Sequence, residues 1–112
     1  MILERERMVD HTERFRAGER VRERSKLLFG NRDTLDVAVA VARDETGAVS
    51  AAEIADAISL APNRVRAQLI AFVELGFMAE APPMRWERRR WFMRVDDPFW
   101  AFCADLHDRW NS

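Results

Sequence analysis

The stretch EIADAISLAPNRVRAQLIAFVELGF, from Glu53 to Phe77, leaves a chain of this size few folds to choose from. Ser50 stands three positions before Glu53, the spacing of a capping box in which a hydroxyl and a carboxylate satisfy the free N–H groups of a helix start. A helix therefore begins there and buries Ile54, Ala55 and Ile58. Ser59 and Leu60 make a turn, and Pro62 suits the first turn of a second helix, where its missing N–H costs no hydrogen bond. Val65, Leu69, Phe72 and Val73 give that helix one apolar face, and Gly76 closes it.

The flanks supply the rest of one compact domain, the size expected of 112 residues. Asn31 can cap a helix from Arg32 to Arg43, with Leu35, Ala38, Val39 and Ala42 on one face. VAVAV also alternates like a strand, but its length and the capping residue favour helix. Phe77 to Ala81 and Arg90 to Val95 are short strand candidates around Pro82-Pro83, a hairpin with a long tip. Pro98 to Trp110 reads as a final helix, too apolar to lie bare. Ile2 to Ser25, rich in Arg and Glu with Met8, Phe15, Val21 and then Leu27 widely spaced, reads either as an exposed helix weakened by Gly18, its C-terminal part joining a partner or the core, or as a disordered tail. The fold class is mainly α with a small β-hairpin, and the segments are 1–27, 28–96 and 97–112.

Two short helices, a tight turn and a following hairpin form the order of the winged helix-turn-helix. The sequence resembles that class of bacterial regulators, whose Glu-Leu-Ala, Gly-Leu-Ser and Ala-Gly-Leu runs are matched without a gap by Glu53-Ile54-Ala55, Ser59-Leu60-Ala61 and Leu75-Gly76-Phe77. LFGNRDTLDVAVAVA, Leu28 to Ala42, looks like the opening of the ArsR-like repressors, and RRRWFMRV resembles their second wing strand. The MarR-like group is the second choice. The resemblance implies a winged helix-turn-helix with additional N- and C-terminal helices, a cytoplasmic homodimer, and a near-palindromic operator of double-stranded DNA. It also implies that the terminal helices form the dimer interface, for which Phe15, Phe99, Phe102, Cys103, Leu106 and Trp110 are the candidates.

With Val65, Leu69 and Phe72 buried, the second helix presents Asn63, Ala67, Ile70 and Glu74 on its far side, with Arg64, Arg66 and Gln68 toward the flanks. Asn and Gln pair bidentately with adenine, Arg with guanine, and Ala meets a thymine methyl. Asn63, Arg64, Ala67 and Gln68 are accordingly expected near bases, and Arg66 on phosphate. Two residues depart from the family pattern: Ala61 stands where a Ser cap is usual and Ile70 where a basic residue is common.

The net charge of -1 conceals a local excess, because Pro62 to Val95 carries seven arginines against three glutamates. Arg85, Arg88, Arg89 and Arg90 crowd the hairpin, where they can line a phosphate backbone or merely keep a solvated edge from pairing with another strand. Trp86 among them can fold back on the domain, stack an arginine or mark a protein contact, and packing on the domain is the first reading. The alternative function is a winged-helix protein-interaction module or anti-regulator that does not bind DNA, using Ala67, Ile70 and Ala71, with Trp86 as a further candidate, as its contact surface.

Other chemistries find little support. The cysteine pair of ArsR-like metal sensors is absent from EIADAI, and Cys103 with His107 and Asp108 makes a weak zinc signal, better read as a buried thiol at an interface. A redox role for Cys103 requires exposure beside a cation. His11 reads as solvent-facing. No phosphate loop, nucleophile–base pair or cofactor motif stands out, so neither catalysis nor a cofactor is expected. The lone cysteine and the charges in MILERERMVDH fit the cytoplasm, and no apolar run approaches the ~20 residues of a membrane span.

Overall fold

The computed structural model describes the backbone of residues 2–112 and the side chains of residues 12–112, so the readings of Met8 and His11 lie outside the described side chains. Five helices and three short strands follow in the order α1 (Ile2–Phe29), α2 (Thr34–Arg43), β1 (Ala48–Val49), α3 (Ala51–Ile58), α4 (Pro62–Glu74), β2 (Met78–Glu80), β3 (Phe92–Arg94) and α5 (Pro98–Trp110). β3 is central and antiparallel to both neighbours, with Val49 and Glu80 each opposite Phe92. The chain is mainly helical around a small three-stranded sheet.

α2 is the hub, packing against α1, α3, α4 and α5. Its Leu35, Val37, Ala38 and Val41 are completely buried, so VAVAV is covered on more than one side and forms a helix. The helix starts later than its sequence suggests. Asn31 does not cap it: its Oδ1 accepts from the Asp33 N–H at 2.7 Å, a local turn that delays the first helical residue to Thr34. Asp33 holds the N-cap position without capping, because its carboxylate is occupied by Arg64. Ser25, fully buried at the end of α1, joins the two helices by donating to Asn31 O and accepting from Leu35 N–H.

The other end of α2 is closed by Arg94, whose Nη1 donates to the carbonyls of Val41, Ala42 and Asp44 at 2.6, 3.1 and 2.9 Å. A cation at the carbonyl end of a helix satisfies orphan acceptors and opposes the helix dipole. Arg94 thus belongs to the scaffold. Gly47, at φ +77, turns the chain into β1 and gives its carbonyl to Arg94 N–H.

The expected helix pair is present. Ser50 Oγ accepts from Glu53 N–H at 3.3 Å, Ser59 ends α3 in the left-handed region, and Pro62 opens α4. At the far end Gly76 N–H bonds Val73 O and Phe77 N–H bonds Phe72 O, the paired bonds of a Schellman close, with Gly76 at φ +83.

α5 enters this core rather than waiting for a partner. Trp100, Cys103 and Leu106 are buried, Trp110 packs against the cluster beneath Arg24, and Phe99 stacks on Phe77 with centroids 4.0 Å apart. Cys103 and Leu106 therefore face their own chain, which corrects their assignment to a dimer surface, while Phe99 and Trp110 are partly buried against the same core. Phe15 and Phe102 remain outward, 63% and 48% exposed. Arg20 ties α1 to the end of α5 through the carbonyls of Trp110 and Ser112. No described helix is long and apolar enough to cross a membrane.

Candidate nucleic-acid interface

α4 stands with Val65, Leu69 and Phe72 sealed in the core and Asn63, Arg64, Arg66 and Ala67 exposed. Four of the five residues expected at its reading edge are thus accessible. Gln68 is the exception: it is buried, and its Oε1 accepts from the Thr34 hydroxyl at 2.8 Å. It cannot meet a base without breaking an interior hydrogen bond. Arg64 is also diverted, because Nε and Nη2 grip both oxygens of the buried Asp33 carboxylate at 2.9 and 2.6 Å. The fork that would read guanine is engaged by an acid of the same chain.

Ile70 and Ala71 are half-buried, and Ile70 packs against the core. The exposed apolar strip required by a protein-docking helix is therefore missing from this face.

The arginine excess divides by the same logic. Arg90 forms a two-pronged pair with Glu80 at 2.7 and 3.0 Å, holding that carboxyl below its usual range, and lies over the Phe92 ring. With Arg64 on Asp33 and Arg94 on the α2 carbonyls, three of the seven arginines are committed within the chain. Among the described residues, the side chains of Arg66, Arg85, Arg88 and Arg89 have no ion-pair partner and are exposed.

Of these, Arg66, Arg88 and Arg89 converge where three elements meet. A cleft of about 470 Å³ is lined by Ser50, Ala51 and Ala52 at the start of α3, by Arg66 of α4, and by Arg88, Arg89 and Arg90 of the hairpin. The first turn of a helix directs unpaired N–H groups outward, so helix end and guanidinium groups here favour the same kind of occupant, an anion. Sequence reasoning found the arginines and missed Ala51 and Ala52, although the capping box marked the helix start on which they lie.

No protein-family model and no curated protein matches the chain. Solved structures do. MarR from E. coli in its apo form superposes with a TM-score of 0.66 at 14% identity, over 90% of this chain and 72% of that one. A MarR mutant complexed with operator DNA gives 0.58 at 12% identity, over 91% and 70%. MepR, a transcription regulator of a Staphylococcus aureus multidrug efflux pump, gives 0.53 at 12% identity, over 93% and 69%. The fold is a MarR-type winged helix. In that fold α3 and α4 form the helix-turn-helix, and β2, β3 and the loop between them form the wing.

The remaining chemistry-bearing groups are interior. Burial pushes the Cys103 thiol up to about 12, which makes it inert, contrary to an exposed redox cysteine. Burial also raises the Asp36 carboxyl, opposed by His107, whose Nε2 lies 3.9 Å away. Among the described residues no three His, Cys, Asp or Glu side chains are grouped as a metal site.

Proposed function

We infer that this chain is a DNA-binding transcriptional regulator that acts as a homodimer on a near-palindromic operator. The carrying observation is the cleft in which Arg66, Arg88, Arg89 and Arg90 face the start of α3, a seat for backbone phosphate between reading helix and wing. Asn63 and Ala67, exposed on the same helix, take the base edges, with Asn63 suited to adenine and Ala67 to a thymine methyl. Arg85, Arg88 and Arg89 of the wing take the neighbouring backbone. Arg64 and Gln68 leave the base-reading set and become supports.

The likeness to MarR structures, one of them complexed with operator DNA, supports this reading and favours a MarR-like kinship over an ArsR-like one. Dimerisation follows from geometry, since two reading helices enter successive major grooves only when held about one DNA turn, roughly 34 Å, apart. Phe15, Leu27 and Leu28 on α1 and Phe102 on α5 are exposed apolar groups of the terminal helices available for it.

Random-oligonucleotide selection with the whole chain tests the reading. A recovered inverted repeat, bound with an affinity that falls steeply with salt, is expected; Arg66→Ala with Arg88→Ala and Arg89→Ala reduces the slope of log K against log salt by about 2–3 per half-site. Failure to enrich any duplex, even at low salt, overturns it.

A further inference from the structure

Trp86 lies at the corner of the wing, 80% exposed, where an apolar residue of its size has no packing partner in the fold. The turn that carries it is closed by Glu87 N–H donating to Met84 O at 3.1 Å, which places Arg85 and Trp86 at its two central positions. Pro82 and Pro83 lead into that turn with fixed φ angles. Glu87 Oε1 accepts from Arg89 N–H at 3.0 Å on the way out. The indole is thus held outward on a constrained tip and does not fold back onto the domain. Met84, also exposed, is the second apolar group of the tip, and Arg85, Arg88 and Arg89 flank the pair without ion-pair partners.

A bulky apolar side chain framed by unpaired guanidinium groups suits a ligand with an apolar interior between two anionic edges. Duplex DNA offers that arrangement in its minor groove, where phosphates border the stacked bases. Resting on the regulator reading above, we propose that Trp86 is a wedge: the wing arginines seat on phosphates at either side of the minor groove, and the indole enters a base step, partly unstacking it and bending the duplex. The flat ring stacks on any base, so the contact selects a deformable step and not a letter. The wing thereby contributes shape readout to a helix whose own base-reading set has been reduced to Asn63 and Ala67.

The test uses the full chain and the duplex recovered by selection, carrying 2-aminopurine at successive steps beside the recognition half-site. Wild-type protein is expected to brighten the probe at one step per half-site and to shorten the end-to-end distance read by energy transfer. Trp86→Ala is expected to bind about tenfold more weakly at every salt concentration, with an unchanged salt slope, a dark probe and a straighter duplex. Trp86→Phe keeps most of the affinity and the bright probe. Arg85→Ala with Arg88→Ala lowers the salt slope while the probe still responds. Because Trp86 touches no core residue, circular dichroism of the variants matches wild type.

Tight duplex binding that survives Trp86→Ala with a dark probe in both proteins overturns the wedge and leaves the regulator standing. Loss of all duplex binding by wild type overturns both. Trp86-dependent sedimentation with phosphatidylglycerol vesicles, alongside unaltered DNA binding in the variant, overturns the wedge in favour of a lipid surface.

Discussion

Arg64 on the reading helix takes both oxygens of the Asp33 carboxylate with the Nε–Nη2 edge of its guanidinium, tying the first turn of α4 to the start of α2. Asp33 is buried and Arg64 is not, so losing the arginine strands an acid in the interior. Arg64→Ala is expected to lower the thermal midpoint, with Asp33→Asn in the same background restoring part of it. Arg66, two positions on and unpaired, behaves oppositely: Arg66→Ala leaves the midpoint unchanged and weakens duplex binding. Equal melting of both variants would show that the Asp33 bridge carries no stability.

The Thr34 to Gln68 hydrogen bond makes a sharper distinction between support and recognition. Both groups are buried, so Gln68→Ala leaves the Thr34 hydroxyl unsatisfied and should cost about 1–3 kcal/mol. Each kcal/mol corresponds to a fall of about 4–8 °C in melting temperature for a domain near this size. Thr34→Val combined with Gln68→Met replaces both partners by apolar groups of similar shape and recovers most of that loss. The base preference of the selected operator stays the same in all three proteins, whereas Asn63→Ala relaxes it at one position per half-site. A changed preference in Gln68→Ala would return that residue to the reading face.

These two pairs also show what the sequence made legible. The local signals borne out were those of the Ser50–Glu53 box, Pro62 at a helix start, Gly76 at a helix end and Pro98 opening α5, which all act within one turn of chain. Apart from Asn31, whose side chain closes a turn on Asp33 instead of capping α2, the residues misread were decided by distant ones. Gln68 is polar and was assigned outward, yet the donor that lets it be buried lies 34 positions away. Arg64 and Arg94 counted toward a basic face until Asp33 and the end of α2 claimed them. β1 is two residues long and exists only because β3 pairs with it, so no alternation in its own sequence could mark it. The apolar face of α5 announced burial correctly but not by whom, since a partner subunit and the chain's own α2 ask for the same residues.

Cys103 gives a pH dependence with a definite sign. Its folded pKa, about 12, exceeds the ordinary thiol value of 9.0, so between those values the unfolded chain loses a proton that the folded chain keeps. Stability present below pH 9 is therefore lost as pH rises toward 12. Cys103→Ala should cost stability at neutral pH through the cavity it leaves, yet flatten this part of the alkaline decline when unfolding is followed by denaturant titration at pH 7.5 and 10. The same burial predicts that a thiol reagent labels native protein only as fast as it unfolds. Immediate labelling at neutral pH would mean that α5 does not seal the site.

The dimer is the part of the functional reading most exposed to a simple measurement. With Cys103 and Leu106 turned inward, the large apolar groups left exposed on the described part of the terminal helices are Phe15, Leu27 and Leu28 on α1 and Phe102 on α5, two helices that pack on one another. Light scattering at micromolar concentration should give about twice the 13.1 kDa chain mass. Phe15→Glu and Phe102→Glu should shift the solution toward monomer with helix content intact, because neither ring supports the core, and should reduce affinity for a two-half-site operator far more than for a single half-site. Leu106→Ala, by contrast, should melt the chain at lower temperature, a core truncation costing about 2–5 kcal/mol. A wild-type chain that stays monomeric with and without DNA would remove the means of spacing two reading helices one duplex turn apart, and the operator would then be a single site read by one α4 and one wing.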